Sequence, residues 1–328
     1  MSIKIVLAGD IGGTSTRLGV FESDASRPRT TTTRTYATTD FGGISGIVSD
    51  FLRAAAVDPR SIAGACFGAA GPVIGGVAQL TNAPVRVDAA AIARDAGLAR
   101  VSLINDLEAL AYAVPALSND EVHVLQEGKE AGRGDPAGAI AVIAAGTGLG
   151  EAALYNIDGR RVARASEGGR ADFAARTSRD IVVLRELTLR YGRAAVEHVV
   201  AGIGLVHIHQ ALHRSCRAGI DFSSAGAPAA VSAAALARTC PGCVESLDVF
   251  VEAYGAEAGN LALRTVATGG VYVGGGIAPK ILPALSSGSF LSAFCAKAPF
   301  TGLLEAIPVK VILNDDAGLL GAANFCLF

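Results

Sequence analysis

The stretch Asp10-Ile11-Gly12-Gly13-Thr14 lies between two apolar runs and predicts a strand, a tight turn and a returning strand, with Asp10 and Thr14 at the two ends of the turn. Gly12 and Gly13 permit backbone angles that other residues avoid, so successive N–H groups can converge on an anion. Asp10 can hold hydrated Mg²⁺, and the Thr14 hydroxyl can reach a phosphate oxygen. The motif predicts a phosphate-binding turn, with a plain glycine hairpin as the alternative.

A turn of the same design occurs near residue 148. An apolar run over residues 139–144 enters Ala145-Gly146-Thr147-Gly148-Leu149-Gly150, and another apolar run follows over residues 152–155. The repeat of strand, glycine- and threonine-bearing turn and returning strand predicts two related domains that face each other across a cleft. Apolar segments with strand spacing and with helix spacing alternate along the chain, which indicates an α/β fold class.

The overall composition limits the kinds of partner. The chain has 328 residues, 51% of them hydrophobic, which is enough for two cores, and its formal net charge is −2. This charge gives no field that attracts nucleic acid or acidic membranes, so we expect small-molecule partners. No apolar run is long enough to span a bilayer, and no cleavage-type sequence follows the first run, so we expect a cytoplasmic protein.

A polar pair, Asn105-Asp106, follows a short apolar strand over residues 101–104. In α/β sheets, ligands gather beyond the carboxyl ends of strands, and the pair occupies such a position before a predicted helix. A carboxylate there can accept a hydroxyl proton, and the Asn105 amide can both donate and accept hydrogen bonds. By itself the pair favours a helix cap. Glu108 is expected on the outer face of the helix, so we do not count it as an alternative to Asp106 as the group that accepts the proton.

Four glycine-rich or acidic motifs follow one another along the chain. They are Gly9-Asp10-Ile11-Gly12-Gly13-Thr14, Ile104-Asn105-Asp106, Ala145-Gly146-Thr147-Gly148-Leu149-Gly150, and Glu167-Gly168-Gly169 with Asp172-Phe173. Their order resembles that of the bacterial-type ATP-dependent glucokinase family, which has the actin-like (ribonuclease H-like) fold of hexokinases and sugar kinases. No cysteine-rich zinc segment follows the glutamate motif, and this favours the zinc-free group of the family.

The resemblance implies a two-domain α/β sugar kinase with a cleft between its domains. Residues 1–115 would form a small α/β domain that is completed by the C-terminal helix 314–328. Residues 116–313 would form a large α/β domain. The resemblance leaves a homodimer open.

The resemblance also implies a reaction and its ligands. A glucokinase transfers the γ-phosphoryl group of ATP to the 6-hydroxyl of glucose, with Mg²⁺, which Asp10 would hold, and with Asp106 as general base. The residues expected at the sugar are Asn82, Asn105, Asp106, Glu167, Arg170 and Glu197. Those expected at the nucleotide are Asp10, Gly12, Gly13, Thr14, Gly146, Thr147, Gly148 and Gly274-Gly275-Gly276. An ordinary helix residue at Glu197, and a flexible turn at the glycine triplet, are the alternatives.

Arg170 departs from the family pattern. The family usually reads Glu-Gly-Gly-His, and its histidine normally touches the sugar, whereas this chain has Arg170. A guanidinium is longer, permanently charged and forked toward carboxylates or phosphates. Arg170 could pair with Glu167, Glu197 or Asp172 and leave a working glucose pocket, which we favour. It could instead change the preferred sugar.

Two other functions remain open at this point. One is a kinase of another hexose or an amino sugar. The other, from a different class, is a sugar- or nucleotide-sensing protein that keeps the cleft and has lost efficient catalysis. Asp106 argues against the sensor.

Overall fold

The computed structural model describes residues 3–24, 27–80, 83–129, 134–213 and 218–327. The chain divides into two compact units. Unit 1 comprises Met1–Asn119, Arg161–Ala165 and Asn314–Phe328, and unit 2 comprises Asp120–Arg160 and Ser166–Leu313.

The strands and helices are numbered in chain order. The strands are β1 (Ile5–Ile11), β2 (Ser15–Glu22), β3 (Arg29–Ala37), β4 (Ile62–Ala69), β5 (Val73–Ile74), β6 (Val77–Gln79), β7 (Arg86–Asp88), β8 (Val101–Asn105), β9 (Val122–Gln126), β10 (Ile140–Ala145), β11 (Leu149–Ile157), β12 (Arg160–Ser166), β13 (Gly270–Gly274) and β14 (Val309–Ile312). The helices are α1 (Ile44–Ala54), α2 (Ala89–Ala96), α3 (Asp106–Ala113), α4 (Ser178–Tyr191), α5 (Gly202–Leu212), α6 (Ala227–Leu236), α7 (Pro241–Thr265), α8 (Leu282–Leu285), α9 (Ser289–Cys295), α10 (Thr301–Ala306) and α11 (Ala317–Leu327).

The main sheet of unit 1 has the strand order β3–β2–β1–β4–β8. β1 runs antiparallel to β2 and parallel to β4, and β4 runs parallel to β8. Both faces of β1 are buried: Leu7 belongs to the same apolar cluster as Phe51 of α1, and Ala8 to the same cluster as Leu319 of α11. A continuous apolar run of this kind is typical of a strand that helices cover on both faces.

The sheet of unit 2 repeats this arrangement, with β10 in the place of β1. β10 runs antiparallel to β11 and parallel to β13, and β13 runs parallel to β14. α7 packs against α5, α6 and α9, so it has buried residues on all its faces, among them Phe250, Tyr254 and Ala258.

Some elements differ from the predicted pattern. Glu197, expected within a helix, lies in a single 3₁₀ turn, Val196–His198, because the extended residue Ala201 interrupts the chain before α5. β7 and α10 are too short to show a period in the sequence. Asn82, a predicted sugar-binding residue, lies outside the described residues. Every helix within the described part of the chain is too short or too polar to span a membrane.

Candidate active site

The carboxyl ends of β1, β4 and β8 bring three predicted site residues to one edge of the unit 1 sheet. The parallel register pairs Asp10 with Gly68, and Ala69 with Asn105. Adjacent strands are about 4.8 Å apart, so the backbones of Asp10 and Asn105 are separated by roughly 10 Å. Asp106 follows Asn105 directly. Ligands of α/β sheets bind beyond this edge.

The turn after β1 is anchored by Thr38, which follows β3. The N–H of Gly12 donates to the carbonyl of Ser15 at 2.9 Å and closes the turn. The Thr38 hydroxyl donates to the Gly12 carbonyl at 2.7 Å, and the Thr38 N–H donates to the Thr14 carbonyl at 3.0 Å. Sequence reasoning missed Thr38, because its contact with Gly12 spans 26 residues. The turn is therefore held in shape by the protein itself, and the Thr14 side chain is exposed.

Asp10 is a strand residue, which corrects its predicted position at the end of the turn. β1 continues to Ile11 because Asp10 pairs with Arg17 of β2. The Asp10 carboxylate faces the start of α11: a Cβ built on Gly318 would lie 3.6 Å from its Oδ2. Burial raises the pKa of Asp10, Arg17 opposes that shift, and Asp316 adds to it. The first turn of a helix favours a nearby carboxylate.

Asp10 suits a metal ion that brings other ligands with it, whereas the carboxylate of Asp316 is paired with Arg17. Groups of three or more His, Cys, Asp or Glu side chains that could hold a metal do not occur among the described residues. Mg²⁺ commonly takes one or two carboxylates and completes its shell with water and phosphate oxygens. The residues present therefore fit a hydrated, phosphate-bound Mg²⁺.

Asn105 caps α3, which is the helix-cap role that the polar pair by itself favours. Its Oδ1 accepts the N–H of Leu107 at 2.8 Å, and its Nδ2 donates to the carbonyl of Gly71 at 3.1 Å. One N–H of the Nδ2 group is left for a ligand. Asp106 is the first residue of α3 and is half-buried, and its Oδ1 accepts the N–H of Leu107 at 3.0 Å. The cap thus fixes the backbone from which the Asp106 carboxylate projects.

Glu108 does not lie on an outer face of α3, contrary to expectation. Its Oε2 accepts the N–H of Asn105 at 3.2 Å, and its Oε1 accepts the N–H of Ala165 at 3.3 Å. Glu108 and Asn105 therefore form a capping box. Both Glu108 oxygens accept backbone N–H groups, so the carboxylate is engaged in holding the start of α3.

In unit 2, the turn over residues 146–148 contacts a predicted sugar-binding carboxylate. The N–H of Leu149 donates to Oε2 of Glu197 at 3.0 Å. A Cβ built on Gly148 would lie 2.4 Å from the same oxygen, so a larger residue there would displace the Glu197 carboxylate. The N–H of Gly202 donates to the carbonyl of Gly146 at 2.9 Å. Two hydrogen bonds thus tie this turn to the segment that carries Glu197, while Thr147 is exposed.

Arg170 pairs with Glu197, one of the three acids that the sequence offers it. Its Nη2 lies 2.9 Å from Oε1 of Glu197. Asp172 is paired with Arg193 at 2.6 Å, and Arg193 also donates to the carbonyl of Arg170 at 2.8 Å. The Glu197 carboxylate therefore contacts the 146–148 turn through one oxygen and Arg170 through the other.

The glycines after Glu167 are required by close packing on β11. They lie at the 3₁₀ turn Gly168–Arg170. A Cβ built on Gly169 would lie 2.2 Å from the carbonyl oxygen of Leu149, and one built on Gly168 would lie 2.1 Å from Oε2 of Glu151. The close approach is thus to the protein itself. Glu167 itself is exposed.

Under this turn lies a cluster of three charged groups that sequence reasoning missed. Glu151 is 1% exposed, and Arg264 Nη1 lies 3.4 Å from its Oε2. Arg264 Nη2 lies 2.6 Å from Oε1 of Glu257. Burial, and then the negative charge of Glu257, raise the pKa of Glu151 to about 7, while Arg264 lowers it. A glutamate in the apolar strand β11 is the sequence signal that could have revealed the cluster.

The glycine triplet 274–276 begins at the carboxyl end of β13, beside the end of β10. Gly275 has φ +82°, and a Cβ on it would lie 2.4 Å from the carbonyl oxygen of Ala145. A Cβ on Gly276 would meet nothing within 4 Å. Gly275 is thus required by the fold, whereas Gly276 leaves open space.

A protein-family model described as Glucokinase matches residues 7–327. A glucokinase from Synechocystis sp. is 39% identical over 97% of this chain and 96% of its own length. A glucokinase from Mesorhizobium japonicum is 36% identical over 98% of this chain and 91% of its own length.

Solved structures agree with these relatives. A glucokinase from an Antarctic psychrotroph superposes with a TM-score of 0.85 at 29% identity, over 99% of each chain. A ROK family glucokinase from Streptomyces griseus, in complex with glucose and AMPPNP, has a TM-score of 0.63 at 21% identity over 98% of each chain, which shows a shared fold alone. The predicted α/β sugar-kinase fold is confirmed.

Proposed function

Because this chain belongs to the glucokinase family, we propose that it transfers the γ-phosphoryl group of ATP to the 6-hydroxyl of glucose. The family match and the 39% identical Synechocystis glucokinase support the activity. The S. griseus structure, which shares the fold, was solved with glucose and AMPPNP, the acceptor and the kind of donor that we propose for this chain. The observation that carries the mechanism is the position of Asp106, at the same sheet edge as Asp10.

Asp106 is the proposed general base. The sugar 6-hydroxyl oxygen forms a bond to the γ-phosphorus as the bond from that phosphorus to the β,γ-bridging oxygen breaks, and ADP leaves. The hydroxyl proton passes to the Asp106 carboxylate. Phosphoryl transfer depends mostly on alignment and charge stabilisation, and a positioned base typically adds about 10²–10⁴-fold to the rate.

The sugar-binding groups that we propose are an amide and two carboxylates. Asn105 offers the Nδ2 hydrogen that its cap does not use, and Glu167 offers an exposed carboxylate. Glu197 is oriented by Leu149 and Arg170 so that its remaining lone pairs can accept sugar hydroxyls. Asn82 stays a prediction.

The nucleotide-binding groups that we propose are the two glycine turns and the triplet 274–276. Their N–H groups and the exposed hydroxyls of Thr14 and Thr147 suit phosphate oxygens. Mg²⁺, held by Asp10 through water, would neutralise charge on the phosphates. Arg170, predicted at the sugar, pairs with Glu197, and its contact with the sugar stays a prediction.

The predicted domains, residues 1–115 with 314–328 and residues 116–313, are part of the proposal, and the bounds of units 1 and 2 support them. We also propose that the protein acts in the cytoplasm, since the reaction consumes ATP.

A panel of sugars assayed for ADP release tests the function. The panel contains glucose, mannose, fructose, galactose, glucosamine and N-acetylglucosamine, each with ATP and Mg²⁺. We expect the highest kcat/KM with glucose. A higher value with another sugar would support the kinase of another hexose or an amino sugar. Calorimetric glucose binding without ADP release from any sugar would support the sensor.

A further inference from the structure

The hydroxyl of Tyr254 lies where two glycine segments of unit 2 begin. Tyr254 is in α7 and is fully buried. Its hydroxyl oxygen accepts the N–H of Ala145 at 3.1 Å. Its own proton can reach the carbonyl of Ile143, at 3.3 Å, or that of Gly274, at 3.4 Å. One side-chain oxygen therefore contacts the last residues of both β10 and β13.

The contact is needed because the strand ladder stops at this point. The parallel pairing of β10 with β13 ends at Ala144 and Gly274. Beyond this pair, Ala145 still pairs with Leu149 of β11 but not with β13, and both strands pass into their glycine segments. A buried N–H without a partner costs about 1–3 kcal/mol, and the Tyr254 hydroxyl supplies the partner that Ala145 would otherwise lack. Burial raises the pKa of Tyr254, so the phenol keeps its proton at neutral pH.

Ala145 also contacts both glycine segments, residues 146–148 and residues 274–276. Its carbonyl oxygen accepts the N–H of Ile277 at 3.4 Å. The same oxygen lies 2.4 Å from the position of a Cβ on Gly275. A shift of Ala145 would therefore move the 146–148 turn and the 274–276 triplet together.

We propose that Tyr254 is a positioning residue for the nucleotide, because its hydroxyl holds Ala145 and through it both glycine segments. The proposal rests on the proposed function, in which these segments bind ATP. It predicts that the Tyr254 hydroxyl matters for ATP and not for the sugar, although Tyr254 contacts neither.

The ring of Tyr254 allows a clean substitution. Phe250 and Phe290 contact it edge-on, with centroids at 5.9 and 5.7 Å. These contacts do not involve the hydroxyl, so Tyr254→Phe keeps the packing and removes one oxygen atom. Leu261→Ala is the control: Leu261 is buried in the same helix, about two turns after Tyr254, and its truncation lowers stability by loss of packing.

Steady-state kinetics of the full chain with glucose test the proposal. We expect Tyr254→Phe to raise the KM for ATP by about 5- to 20-fold, the size expected for one lost buried hydrogen bond, and to leave the KM for glucose within about twofold. Leu261→Ala should lower Tm without separating the two KM values. An unchanged KM for ATP in Tyr254→Phe, or equal rises in both KM values, would overturn the proposal.

Hydrogen exchange gives a readout that does not depend on turnover. In Tyr254→Phe, the amide hydrogens of residues 144–148 should exchange faster than in the wild type. Calorimetry should show that the variant binds ADP more weakly. If no sugar is phosphorylated but both changes occur, the proposed function fails and the role of Tyr254 stands. If Tyr254→Phe does not fold, the same measurement on the wild type tests the proposal. ADP should slow the amide exchange of residues 144–148 and of residues 274–277 together. Protection of only one of these segments would contradict the proposal.

Discussion

The backbone N–H of Leu149 donates a hydrogen bond of 3.0 Å to Oε2 of Glu197. Leu149 directly follows the turn proposed to bind phosphate, and Glu197 is the carboxylate proposed to bind sugar. Within unit 2, the turn proposed to bind phosphate and the carboxylate proposed to bind sugar are thus linked by a direct hydrogen bond. A substitution that displaces the Glu197 carboxylate itself should therefore affect the sugar.

Gly148→Ala tests this contact. The added Cβ would lie 2.4 Å from Oε2 of Glu197, so the carboxylate must move away. We expect the KM for glucose to rise by about 10- to 100-fold, since a hydrogen bond to a charged group contributes about 1.5–3 kcal/mol. Gly146→Ala is the matched control in the same turn, because a Cβ there meets nothing within 4 Å. An equal rise in the glucose KM of both variants would show that the Glu197 contact is not the cause.

Arg170→His should leave the order of preferred sugars unchanged. The Arg170 side chain is 51% exposed and paired with Glu197, and an exposed ion pair of this kind contributes about 0–1 kcal/mol. We expect the KM for glucose to change by less than about fivefold. The sugar panel is the measurement. A changed order of kcat/KM among the sugars would show that Arg170 selects the substrate.

Thr38→Val should raise the KM for ATP by about 5- to 20-fold, because it keeps the shape of the side chain and removes the hydrogen bond to the Gly12 carbonyl. Thr38→Ser, which keeps the hydroxyl, should stay near the wild type. The KM for glucose should not move in either variant. If Thr38→Ser is impaired as much as Thr38→Val, the methyl group and not the hydroxyl holds the turn.

Glu151 should make stability depend on pH. The folded protein raises the pKa of Glu151 from 4.5 to about 7, so between these pH values it binds a proton that the unfolded chain has released. The free energy of unfolding therefore falls as pH rises through this window, by on the order of 3 kcal/mol, and is constant above it.

Urea unfolding of the wild type and of Glu151→Gln across that window is the measurement. The variant carries a neutral side chain of the same shape, and its stability should lack this fall. Glu186→Gln, at an exposed position of α4, is the control and should follow the wild type. Parallel pH curves for Glu151→Gln and the wild type would contradict the shifted pKa.

The sequence predicts those parts of the site that are encoded locally. Both glycine turns follow apolar runs directly, and the Asn105-Asp106 pair ends a recognisable strand. The contacts that hold these parts come from distant positions. Tyr254 reaches Ala145 across 109 residues, and Arg264 reaches Glu151 across 113 residues. Periodicity and turn chemistry carry no information on such pairs, which only the folded sheet brings together.

The role of Glu108 shows how a local pattern can also mislead. A charged residue in the first turn of a helix suggests a solvated face. Here the first turn lies at the carboxyl end of a buried strand, where the N–H groups of Asn105 and Ala165 need acceptors. The Glu108 side chain therefore points toward these backbone N–H groups, and helix periodicity alone does not predict its direction.

The general base is tested most directly by Asp106→Asn, which replaces the carboxylate by an amide of the same shape. With glucose, ATP and Mg²⁺, kcat should fall by about 10²–10⁴-fold, while calorimetric glucose binding should stay within about threefold of the wild type. Asp95→Asn, at an exposed ion pair with Arg94, should keep full activity. A kcat for Asp106→Asn close to that of the wild type would contradict the account.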